Sequence, residues 1–214
     1  MKKLIQHTLK SFVQEVDSPS PAPGGGSVAA LAATLGTALA RMVGHLSIGK
    51  KKFKALDPDI QERFSQVFES LTAIEEELLH LVDKDTEAFN LIMAAYRMPK
   101  TDDVEVLARH EKIQAGTREA IKVPAMVANL GLAALERLDI ILTYGNKQAV
   151  SDVGVAALML AAGIEGALLN VMINVSSLDD PEDIEKHQAT TQDLLVRTHA
   201  MKTALMQKVH DAIA

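Results

Sequence analysis

Pro21-Ala22-Pro23-Gly24-Gly25-Gly26-Ser27 is the stretch of this chain best suited to holding a ligand. Three consecutive glycines leave backbone amides with no side chain in front of them. Ser27 is a favoured helix N-cap, which would set those amides at the positive end of a helix. Such an arrangement suits an anionic or carbonyl-rich ligand. Prolines at 19, 21 and 23 stiffen the approach and turn the residues before them away from helix. The segment reads as a built turn, not a flexible linker.

A charge out of place is the next signal. Phe64, Phe68, Leu71, Leu78, Val82, Asp85, Phe89, Ile92 and Tyr96 recur every three or four residues, so Asp85 takes a core slot on one helix face. A carboxylate there needs a cation, hydrogen-bond donors or a raised pKa. It is either a general acid or base or one half of a buried ion pair. A further face joins Asp152, Ala156, Met159, Gly163, Gly166, Asn170 and Asn174. It reads either as a ligand groove or as tight helix packing sealed by asparagines. The basic run Lys50-Lys51-Lys52-Phe53-Lys54 is either a solvated loop or a contact for a multiply anionic ligand, and Arg97 and Lys100 add cations after the Asp85 helix. Glu75-Glu76-Glu77 reads as a solvated face. The seven histidines contain no His-x-x-x-His pair, so no metal site is expected. The glycine stretch lacks the Gly-Lys-Ser/Thr of a phosphate-binding P-loop, and no strand precedes it as a dinucleotide fold requires.

The apolar spacing that must position these residues is helical nearly throughout. It predicts helices over 5–16, 27–47, 58–97, 102–144, 151–175 and from Pro181 onward. Asp57, Asp102 and Ser151 stand as caps, Asp179-Asp180-Pro181 reads as a break, and Pro124 predicts a kink. Alanine, leucine and methionine supply the core, while aromatics make up only 3%. The prediction is all-α: one domain over 1–214 forming an up-and-down bundle of long helices. Gly36 and the small residues of 156–166 should let helix backbones approach closely. Segments this long exceed what one small globule covers, which predicts a homodimer.

At 214 residues the chain can bury a core without disulfides, and it has no cysteine to form them. A net charge of −6 argues against general nucleic-acid binding and points to a cytoplasmic protein. The apolar run 28–40 is short for a membrane span and reads as a core helix, so no membrane partner is expected.

Taken together and in order, these pieces resemble the cyclodeaminase/cyclohydrolase family of folate one-carbon enzymes. They are Pro23-Gly24-Gly25-Gly26-Ser27, Lys50-Lys51-Lys52, Asp83-Lys84-Asp85-Thr86-Glu87-Ala88-Phe89, Tyr96-Arg97-Met98-Pro99-Lys100, Gly145-Asn146 with Ser151-Asp152, and Asn170 to Asn174. The resemblance implies an all-helical homodimer that binds a tetrahydrofolate derivative, including polyglutamylated forms, as substrate and uses no prosthetic group. It implies conversion of 5-formimidoyltetrahydrofolate to 5,10-methenyltetrahydrofolate with loss of ammonia, and Asp85 as the catalytic residue. The sister activity, methenyltetrahydrofolate cyclohydrolase, would use the same carboxylate and groove. A helical binding protein without catalysis is the rival from another class. The expected groove is lined by the glycine turn, Lys50, Lys51, Lys52, Arg97, Lys100, Asn146, Asp152, Asn170 and Asn174.

Overall fold

A computed structural model describes residues 3–214. Its regular elements there are all helical: α1 (Leu9–Val16), α2 (Gly25–His45), α3 (Lys51–Lys54), α4 (Pro58–Tyr96), α5 (Asp103–Tyr144), α6 (Val150–Val175) and α7 (Pro181–Ile213), with short 3-10 turns at Leu4–Gln6 and Lys147–Ala149.

Local chemistry explains most of the boundaries. The side chains of Asp57, Asp102 and Asp180 accept amides at the starts of α4, α5 and α7, and proline fills the first position of α4 and α7. The expected first helix is broken in two. Thr8 adopts an extended backbone and caps α1 through its hydroxyl, so residues 4–6 form a separate turn. Ser151 is not a cap. The turn at Lys147–Ala149 feeds directly into α6, and the capping side chain in this region is Asn146, which accepts the Gln148 N–H. Pro124 lies buried within α5, which continues through it as one element. The lysine run is the short helix α3, where a loop was expected.

Helices α2, α4, α5 and α6 form an up-and-down bundle, with α7 packed along α6 and α5. Leu71, Leu78, Leu135, Leu138, Leu160 and Ile164 are completely or almost completely buried between them. α2 and α6 run antiparallel at close range. A Cβ on Gly36 would lie 2.9 Å from the Ala156 carbonyl, and one on Gly163 would lie 2.7 Å from the Ala33 nitrogen. Backbones this close leave no room for side chains, so Gly163 belongs to a packing seam and not to a groove. α2 and α6 are long and apolar enough to cross a membrane, but each buries about half of that stretch within the bundle.

Candidate active site

The apolar stripe of α4 is buried from Phe64 to Val82 and then runs out to the surface. Asp85 is half-buried, Phe89 and Ile92 are partly covered, and Tyr96 is exposed. Asp85 therefore stands at the rim of the core, where α4 passes the first turn of α2. That turn begins at Gly24, whose extended backbone serves as N-cap without a side-chain bond. Ser27 is not the cap expected from its residue type. It sits inside the turn and donates its N–H to Asp85 Oδ2 at 2.9 Å. Its hydroxyl reaches the Val82 carbonyl at 2.8 Å and Asp85 Oδ2 at 3.2 Å.

The Asp85 carboxylate thus satisfies an amide of the α2 start from across the bundle, where negative charge is favoured. Among the described residues no lysine or arginine pairs with it; its recorded partner is Ser27. Burial pushes its pKa above the ordinary Asp value, and the two Ser27 hydrogen bonds partly offset that rise. Only glycine fits opposite. A Cβ at Gly26 would stand 2.0 Å from Asp85 Oδ1. The hydrogen bonds of this carboxylate go to Oδ2, leaving Oδ1 for a reacting group. A carboxyl held on one oxygen, with its pKa raised by burial, can take up and return a proton more readily than an ordinary aspartate.

Pro23, Gly24, Gly25, Gly26 and Ser27 are therefore beside Asp85 as expected. Asn170 joins them: its side chain lies 3.3 Å from where a Gly25 Cβ would be, held by the Gly166 carbonyl. Asn174 is one turn further on, but its amide is spent on the carbonyls of Ala120 and Asn170, a packing role.

The remaining expected residues are elsewhere in the chain. α2 separates its two ends by about 30 Å at 1.5 Å per residue. Lys50, Lys51, Lys52 and Asn146 lie beyond its far end, lining a cavity of about 290 Å³ with Phe53, Tyr144 and Lys147. The Asn146 N–H is fixed there by Ser47 Oγ at 2.8 Å. Asp152 lies about 27 Å from Asn170 along α6, toward that same end. Arg97 and Lys100 are exposed, with Arg97 about 18 Å beyond Asp85 along α4. The expected single groove is therefore not assembled within one chain. Glu75 also departs from expectation: it is partly covered and pairs with Arg41 at 2.7 Å. Thr86 was not singled out from sequence, yet its hydroxyl lies 3.4 Å from Ser27 Oγ. Its place one residue after Asp85 was the only available clue.

Comparison with known proteins gives the family and the fold. The formiminotransferase-cyclodeaminase family model matches residues 8–193. A methenyltetrahydrofolate cyclohydrolase of Methylorubrum extorquens is 34% identical over 96% of this chain and 97% of its own length. The formimidoyltransferase-cyclodeaminase of Gallus gallus is 37% identical over 92% of this chain, which spans 35% of that longer protein. The crystal structure of a formiminotetrahydrofolate cyclodeaminase from Thermotoga maritima superposes with a TM-score of 0.77 at 26% identity, covering 97% of this chain and 96% of that one.

Proposed function

Because the chain belongs to the formiminotransferase-cyclodeaminase family of folate one-carbon enzymes, we propose that it converts 5-formimidoyltetrahydrofolate to 5,10-methenyltetrahydrofolate and ammonia. The observation that carries this reading is Asp85, a partly buried carboxyl with a raised pKa, one oxygen held by Ser27 and the other facing the glycine turn. Ring closure requires the ten-position nitrogen of the folate to attack the formimidoyl carbon. That nitrogen must then lose its proton, and the departing nitrogen must gain one. A single carboxyl can accept the first proton and deliver it to the second site. The chemistry needs no prosthetic group. Asn170 and the α2 amides supply donors for the polar edge of the substrate.

Hydrolysis of 5,10-methenyltetrahydrofolate is the second reading, favoured by the end-to-end match to the Methylorubrum relative that bears that name. Here Asp85 would take the proton of an attacking water. Incubating the purified protein with each folate separates the two. Ammonia release with growth of methenyl absorbance supports deamination. Loss of methenyl absorbance well above the uncatalysed rate, without deamination, supports hydrolysis and overturns the first reading.

The protein acts as a homodimer in this reading. Val28, Leu35 and Met42 form an exposed apolar line at seven-residue spacing along α2, continued on α6 by Val155, Leu158 and Leu169. A two-fold axis crossing α2 near Leu35 pairs these lines antiparallel. It would bring the lysine cavity of one protomer to the Asp85 end of the other. Lys50, Lys51 and Lys52 would then meet the carboxylates of the folate tail across the dimer.

A further inference from the structure

The turn at Leu4–Gln6 packs on α4, and a second cavity of about 280 Å³ lies there, with walls that include Leu4, His7, Pro23, Asp83, Thr86 and Asn90. Asp83 is only 6% exposed. One of its oxygens accepts the Leu4 N–H. Its Oδ2 is buried and, among the described residues, has no hydrogen-bond partner, and the same is true of Nδ1 of His7. A buried polar atom left unpaired costs about 1–3 kcal/mol, and more when it carries charge. Only three such side-chain atoms occur among the described residues, and two of them belong to residues lining this one cavity.

The cavity adjoins the Asp85 cradle. Pro23 stands in its wall, and Thr86 Oγ1 lies 3.4 Å from the Ser27 hydroxyl that contacts Asp85. Its lining offers a carboxylate oxygen, an imidazole nitrogen, a hydroxyl and a side-chain amide, with Glu15 at its edge; Lys3 lines it too, without an ion pair to Asp83 among the described residues. Glu87 also lines it but is already paired with Lys84. No group of three or more acidic or histidine side chains among the described residues is arranged to hold a metal ion. Dispersed acceptors around a carboxylate oxygen that has no partner among the described residues suit a cation that donates several hydrogen bonds in different directions.

We propose that this cavity binds an ammonium-class cation, with Asp83 as its charged anchor and His7, Thr86 and Asn90 as further acceptors. The ammonium is either taken from solution or, resting on the deaminase reading above, is the leaving group of the reaction. In that reaction the bond from the one-carbon unit to its nitrogen breaks and the nitrogen keeps the electron pair. The substrate enters as the protonated formimidinium, whose nitrogen already carries two hydrogens; that nitrogen collects the ten-position proton through Asp85, departs as ammonia, and takes one further proton from solvent to become ammonium.

The test is titration of the folate-free full chain with ¹⁵N-ammonium chloride at constant ionic strength, reading the His7 imidazole resonances. Potassium and tetramethylammonium serve as controls, and His7→Gln identifies the signals. Ammonium is expected to shift them saturably while tetramethylammonium does not. Asp83→Asn, which keeps an acceptor for the Leu4 N–H, should weaken binding at least ten-fold. Asn90→Leu should weaken it several-fold, and it decides alone if Asp83→Asn does not fold. No saturable shift, an equal response to potassium, or unchanged affinity in the folded variants would overturn the proposal. Inhibition of turnover by ammonium that is relieved in Asp83→Asn identifies the leaving group as the source. Ammonium binding by a protein that deaminates no folate would leave the site standing and sink the deaminase reading.

Discussion

The residue that organises this site is defined as much by a missing side chain as by its own. Asp85 sits where a Cβ on Gly26 would stand 2.0 Å from Oδ1. Gly26→Ala must push the carboxylate out of the cradle. Because a carboxylate is the movable end of a side chain, the fold should lose less than about 1–3 kcal/mol, the usual range for overpacking. Turnover should fall by about a hundred-fold or more, since displacement by an ångström or so already costs that much. Gly24→Ala is the steric control: its Cβ would meet only the Pro21 carbonyl at 3.6 Å, so thermal melts should show no loss of stability. Asp85 also makes stability depend on pH. Its folded pKa lies above its unfolded one, so the unfolded chain gives up its proton first as pH rises. The native state therefore loses stability from the ordinary Asp range up to the raised pKa, and stays lower above it. Asp85→Asn should melt higher than the parent near pH 7, and the gap should close on acidification. Paired thermal melts across pH check this.

At the scale of elements, α2 is held in place by the seam it makes with α6. A Cβ on Gly163 would meet the backbone of Ala29 and Ala33 at 2.8 and 2.7 Å, and backbone cannot step aside. Gly163→Ala should cost about 1–3 kcal/mol in urea denaturation. It should also lower turnover, because α2 carries Gly26 and Ser27 at its start. Most of this framework was legible in the sequence because helix starts are local. Asp57, Asp102 and Asp180 each cap from within two or three residues of the amide they accept. The failures are where partners are distant or competing. Ser27 has the type of a cap, but its hydroxyl bonds Val82 and Asp85, more than fifty positions away. Ser151 has the same type and is made redundant by the turn that precedes it.

The whole molecule explains why the expected binding residues scatter. In an up-and-down bundle, successive helix starts fall at alternate ends. Spacing along the chain identifies chemical types but not which end each occupies. The glycine turn and Asp85 are brought together because α4 runs antiparallel to α2, whereas Lys50–Lys52 follow α2 at its other end. A dimer that restores the groove makes a specific prediction. Asp85→Asn and the triple change Lys50→Ala, Lys51→Ala, Lys52→Ala should each be impaired alone. Mixed under conditions that exchange subunits, they should recover about a quarter of the parental sites, because half the dimers are mixed and each holds one intact groove. No recovery on mixing would place the lysines outside the groove. Leu35→Asp on the proposed axis should yield monomers by light scattering and lose turnover with them.

The central claim is that Asp85 performs the proton transfers on a bound folate. The most direct measurement is single-turnover conversion by Asp85→Asn beside equilibrium binding of the same folate. The account predicts at least a thousand-fold slower conversion, toward the upper part of the usual range for a general acid–base group, with affinity within a few-fold of the parent. Conversion at the parental rate would contradict it.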